Sequence, residues 1–156
     1  MKALVNLEIA DHQSEVPIPN AWLDILQRAG LAAWPEVVKA ASTKRPCFDG
    51  EWIDIAFVST DASDRTHQQF MGISGATDVI TFLHGELVIC PQVAVAQAAE
   101  HGEPLLRELL RYLIHGLLHL GGYDDQDDTE RQEMECIQEE IVIKVWQQQM
   151  MESCAK

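Results

Sequence analysis

Nowhere does the sequence sustain the roughly 20 uninterrupted apolar residues that a membrane span needs, and Asn6, Glu8 and Asp11 punctuate the N-terminal segment too early for a secretion signal. No membrane association is expected. Paired cysteines are missing as well: Cys47, Cys90, Cys136 and Cys154 lie far apart with no Cys-x-x-Cys, which argues against a disulfide framework or a zinc ribbon and suits a reducing cytoplasm. Positive charge is scarce. Against 25 Asp and Glu stand 11 Lys and Arg, a formal net charge of -14, so a general electrostatic grip on nucleic acid is not expected. The imbalance is concentrated between Asp124 and Glu140, where nine acids face the single base Arg131. A run of this kind reads first as a solvated helix face. Repeats, low-complexity tracts and interdomain linkers are all lacking, and 156 residues at 47% hydrophobic predict a single domain spanning 1–156.

What is present divides into strands and helices by period. Ala3 to Ile9 alternates apolar and polar positions and predicts a first strand. Pro17 and Pro19 interrupt the chain, and Asn20 can cap a helix carrying Trp22, Leu23, Leu26 and Leu31, which Ala33 to Ala41 extends or restarts after Pro35. Trp22 and Trp34 read as core anchors. The β-favouring run Trp52 to Val58 predicts a central strand, Ser59 to Ser63 a loop, and Asp64 to Phe70 a short helix at best. Thr77 to Phe82 and Gly85 to Cys90 form two more short strands about a tight connection, and Pro91 opens a small-residue helix ending at His101 and Gly102. Thr129 with Gln132 fits a capping box for a last helix that turns Met134, Ile137, Ile141 and Val145 to the core.

The most informative segment is Leu105 to Leu120. Its leucines and isoleucine cover most of a helix circumference, so the helix is expected to be buried, yet Glu108, Arg111, His115 and His119 form one polar stripe at spacings of three, four and four. A buried helix that keeps such a stripe points it at a cavity. Gly121 and Gly122 stop the helix, and a chain turning back there can bring Tyr123, Asp124 or Asp125 toward the two imidazoles. The pattern His-x3-His-x5-Asp suits one Zn2+ ion, which takes nitrogen and oxygen donors and leaves a fourth position for water. Water bound to such an ion attacks near neutral pH because the metal lowers its pKa. The zinc-peptidase signature has Glu after its first histidine; Gly116 stands there, so a protease lacks its usual base. His84, His101 and Glu86 are rival donors that read more simply as loop or strand-edge residues.

The segment resembles the hallmark of the YbeY endoribonucleases, His-Gly-x-Leu-His-Leu-x-Gly-Tyr-Asp-His, with His115, Gly116, Leu118, His119, Leu120, Gly122, Tyr123 and Asp124 in matching places. Thr77 to Phe82 is similar to that family's TDVLSF strand, and Gly85 to Ile89 to its Gly-Asp-Ile strand, so the likeness covers about residues 50 to 145. It implies an α+β fold, a small mixed sheet of about four strands flanked by helices, with a buried central helix carrying the metal histidines. It also implies a zinc-dependent, single-strand-specific endoribonuclease in rRNA maturation and ribosome biogenesis, with an rRNA precursor and the ribosome or its proteins as partners. Two positions depart from the pattern. The third metal histidine falls on Asp125, which the resemblance therefore makes the third ligand beside His115 and His119, and an arginine expected to contact phosphate falls on Met71. Arg111, one turn before His115, is the candidate replacement for that phosphate contact; its alternative is an intrahelical pair with Glu108. Competing functions are a non-catalytic ribosome-biogenesis module with a structural zinc and a metal-dependent hydrolase of another substrate.

Overall fold

The alternating N-terminal pattern does become a strand, displaced toward the C-terminus. In the computed structural model, which describes residues 1–154, β1 is Asn6–Asp11 and not Ala3–Ile9. Its partner sets the limits: β1 runs parallel to β2 (Trp52–Phe57) in the register Asn6 to Trp52 through Asp11 to Phe57, so the ladder starts where β2 starts. The sheet is completed by β3 (Val79–Phe82) and β4 (Glu86–Ile89), in the order β1-β2-β4-β3. β2 and β4 are parallel, and β3 is antiparallel to β4. The α+β fold and the mixed four-stranded sheet are therefore as the resemblance implied.

The helices differ from the sequence reading mainly at their ends. α1 (Asn20–Ala40) runs straight through Pro35, because Ala33, Trp34 and Val37 on either side of the proline are buried in the core. That packing outweighs the roughly 3 kcal/mol a mid-helix proline costs. Asn20 is the first helical residue and not a cap; Pro19 occupies the cap position without a side-chain bond. α2 (Thr60–Met71) is longer than predicted, since the Ser59 hydroxyl accepts from the Ala62 N–H at 3.2 Å and Gly72, at φ 68°, closes the other end. α3 (Pro91–His101) and α4 (Leu105–Leu120) match their expected spans. α5 (Asp128–Cys154) is capped by Asp127, whose carboxylate accepts from the Glu130 N–H at 2.9 Å, in place of the expected Thr129–Gln132 box. No helix among the described residues is long and apolar enough to cross a membrane.

α4 is the axis of the core. It touches α1, α3, α5 and the β3–β4 hairpin, and Leu109, Ile114, Leu117, Leu118 and Leu120 along it are fully enclosed. Two glycines permit this closeness. A Cβ on Gly30 of α1 would lie 2.7 Å from Leu7 and 3.2 Å from Leu113, and one on Gly116 of α4 would lie 2.8 Å from the Leu87 Cγ of β4. Gly116 therefore stands where a peptidase would carry its base because β4 leaves no room for a side chain. Alanine at Gly116 gains about 1 kcal/mol of helix propensity but overpacks the sheet face, which costs about 1–3 kcal/mol. A net loss of stability in urea unfolding is expected, and a Gly116→Ala protein more stable than the parent would contradict the close approach.

Candidate metal centre

The polar stripe of α4 ends at the open side of the hairpin, where the turn after Leu120 folds back over it. Gly121 and Gly122 make that turn possible. Gly122 adopts φ 102° and lies against the Arg45 backbone, so a side chain there is both strained and blocked. The Tyr123 N–H donates to the Leu118 carbonyl at 3.0 Å, and the Tyr123 hydroxyl donates to the Ala40 carbonyl at 2.8 Å, tying the turn to the end of α1. Tyr123 is thereby turned away from the histidines, with Lys44 over its ring. Asp124 takes the turn role, accepting from the Asp125 N–H at 2.8 Å. Of the three residues left open by the sequence, Asp125 is the one whose side chain reaches the imidazoles.

His115 Nε2 and His119 Nε2 stand 3.1 Å apart, and Asp125 Oδ2 lies 3.5 Å from the first and 3.7 Å from the second. Two donors on one tetrahedral zinc at the usual bond lengths are about 3.3 Å apart, so the triangle has the size of one face of such a site. The far nitrogens are fixed. His115 Nδ1 lies 2.8 Å from Gln138 Oε1, and His119 Nδ1 lies 3.1 Å from the Tyr123 carbonyl. Both acceptors call for Nδ1–H, which leaves each neutral imidazole with its lone pair on Nε2. Two lone pairs and a carboxylate then converge with no proton between them, an arrangement that a cation satisfies. Burial pushes the His119 pKa below its ordinary value and the neighbouring His115 adds to this, outweighing Asp125, so the metal-binding neutral form is favoured. The described residues contain one group of this kind that can hold a metal ion, His115, His119 and Asp125.

Gln138 is the functional residue that the sequence reading passed over. It sits on the buried face of α5, four residues after Met134, so its signal was a polar side chain in a stripe that is apolar but for it and Gln149. Replacing Gln138 with leucine is expected to weaken any metal binding at the triangle by about 10- to 100-fold. Competition against a chromophoric chelator measures this, and an unchanged affinity would show that the His115 tautomer needs no such partner.

Arg111 lies on the stripe one turn before His115, and its guanidinium is taken up by acids. Each nitrogen of its guanidinium donates to a carboxylate: Nε to Glu139 Oε2 at 2.9 Å, one terminal nitrogen to Glu108 at 2.6 Å and to Glu103, the other to Glu139 at 2.8 Å and Glu103 at 3.1 Å. The pair with Glu108 is the alternative the stripe allowed. With its donors committed to three acids, Arg111 has none left for a phosphate, and the phosphate-contact role is withdrawn. The rival donors also lie elsewhere: His84 faces Glu86 at 3.3 Å and His101 faces Glu108 at 3.4 Å.

The triangle opens on a cleft of about 570 Å³, bounded by β3, the end of α2 and the turn after α4. A smaller chamber of about 250 Å³ adjoins it, with Asp78, His115 and Asp125 common to both. The triangle is thus open to two cavities.

The chain is similar to known proteins over most of its length. Residues 9–145 match the family profile described as Endoribonuclease YbeY. The Endoribonuclease YbeY of Chromohalobacter salexigens is 34% identical over 143 residues, covering 85% of this chain and 91% of its own length. That of Paraburkholderia phytofirmans is 33% identical over 143 residues, covering 84% and 88%. The solution structure of TM1509 from Thermotoga maritima superimposes with a TM-score of 0.61 at 27% identity, covering 96% of this chain and 95% of that one.

Proposed function

Because the chain belongs to the YbeY endoribonuclease family, we propose that it is a zinc-dependent, single-strand-specific endoribonuclease acting as one unit over residues 1–156. In this reading it matures an rRNA precursor in the cytoplasm, in contact with the ribosome or its proteins. The observation that carries it is the triangle of His115, His119 and Asp125, with the far nitrogen of each histidine already held.

Zinc bound there would supply Lewis acidity, making water acidic enough to attack a phosphodiester and offsetting the charge that develops on it. The chain's own residues provide the frame. Gln138 and the Tyr123 carbonyl orient the imidazoles, and the Tyr123 hydroxyl fixes the turn that carries Asp125. The enclosing core holds α4, and with it His115 and His119, in place.

Purified zinc-loaded protein is expected to cut single-stranded RNA and to spare a duplex of the same sequence. A chelator should stop the reaction, and added zinc should restore it. The reading is overturned by chelator-insensitive cleavage or by no cleavage from fully loaded protein. Its ribosomal part requires accumulation of unprocessed rRNA when the protein is depleted.

A further inference from the structure

The larger cleft has one wall unlike the other. Asp78, Asp124 and Asp125 line it, and among the described residues no lysine or arginine does. Of the cations near by, Arg111 is held by its three glutamates, Arg131 by Asp128 at 2.9 Å, and Lys44 by Glu133 at 3.0 Å and the Tyr123 ring, while Arg45, exposed beside Gly122, stands outside the cleft lining. Beyond the turn, the start of α5 adds the acidic run. Within the lining of this cleft a polynucleotide finds no lysine or arginine for its phosphates.

Another part of the rim is apolar. Phe70, Met71, Ile73 and Leu83 are each half exposed or more, an unusual concentration of large apolar side chains at the end of α2 and the tip of the β3–β4 hairpin. They form one surface. Phe70 crosses Phe82 nearly at right angles with ring centroids 4.9 Å apart, Leu83 follows Phe82 in the chain, and Met71 and Leu83 line the cleft that holds His115 and His119.

We propose that this rim, Phe70, Met71, Ile73 and Leu83, is the substrate-gripping surface, and that it binds the faces of unpaired nucleobases while the phosphodiester lies at the metal triangle. The inference rests on the endoribonuclease reading and extends it to how RNA is held. Charge supports the assignment: the acidic wall repels the backbone, so the strand lies toward the uncharged side. Continuity supports it too, since the rim and the triangle share one cleft. Apolar and aromatic surfaces hold bases of any sequence, because every base has a face to offer. A duplex hides those faces, so the same rim favours single strands.

The test uses the zinc-loaded full chain and a fluorescein-labelled single-stranded 2′-O-methyl oligoribonucleotide, read by anisotropy, with cleavage of the unmodified strand in parallel. Between about 50 and 200 mM salt the wild-type Kd is expected to change by only about threefold, the slope of roughly one phosphate contact. Phe70→Ser and Leu83→Ser, both at exposed positions, should each raise Kd about tenfold. Met71→Arg should steepen the salt slope by about one further phosphate contact. Unchanged Kd in the folded serine variants, or a wild-type slope as steep as that of a basic groove, overturns the rim while leaving the endoribonuclease reading intact. A loss confined to ribosomal subunits, with free oligonucleotide bound normally, makes the rim a protein-docking surface instead. Absence of both binding and cleavage in the wild type removes the functional reading and this inference with it.

Discussion

Alanine at His119 is expected to take zinc content from one ion per chain to near zero and to lower RNA cleavage by about a thousandfold or more, a loss of several kcal/mol of charge stabilisation at the reacting phosphate. Two donors remain, but an imidazole and one carboxylate do not hold zinc against water as a three-ligand site does. The fold should survive, because His119 leaves one-fifth of its side chain exposed and its neighbours Leu117, Leu118 and Leu120 carry the packing. Asp125→Ala should fall between, keeping both imidazoles, and Asp125→His should regain metal by offering a third nitrogen. Elemental analysis of dialysed protein alongside cleavage assays separates these cases. Stoichiometric zinc in a folded His119→Ala protein would place the metal elsewhere.

Arg111→Met is expected to give the largest loss of stability, about 3 kcal/mol or more, because it leaves three carboxylates facing one another with only Arg107, 3.9 Å from Glu103, at their edge. Glu108 is the most exposed to this, with its side chain only 2% accessible beside the guanidinium. For a domain of this size the change corresponds to a fall in Tm of about 6–12 °C. The pH dependence has a definite sign. The Arg111 hydrogen bond holds the Glu103 pKa below its ordinary value, and at Glu139 the same partner outweighs burial, which acts upward. Carboxylates depressed in the folded state contribute stability above their unfolded pKa and lose it as pH falls through the folded value. Wild-type stability should therefore drop below about pH 4.5, and the Arg111→Met protein should show a shallower acid slope from a lower starting point. Denaturant melts between neutral and acid pH decide this. An equal slope in both proteins would mean that the cluster is too well solvated to matter.

These two residues lie on the same helix stripe, yet only one of them could be assigned from sequence. His119 was legible because its context is local: a partner one turn away, a glycine stop, and acids just beyond, all within the reach of a helix and a turn. Arg111 was not, because its partners Glu103 and Glu139 come from the α3–α4 connection and from α5, and no periodicity pairs them. Gln138 was hidden for the same reason. α2 was underestimated because its sequence, TDASDRTHQQFM, has almost no buried face to produce a period; Ser63 is its one buried residue, and the helix is defined by its caps. β1 began late because a strand's limits belong to its partner. α4, by contrast, carries its whole case in its own apolar pattern, and it was read to the residue.

The three converging side chains lie within eleven consecutive residues, His115 to Asp125. An unfolded chain therefore keeps them within a short flexible loop of one another, and zinc is expected to bind the denatured ensemble too. Ligand-linked stabilisation depends on the difference between the two affinities. Zinc should accordingly raise the melting temperature by less than its native-state Kd suggests, and on dilution from denaturant it should be captured before α1 has docked behind the site.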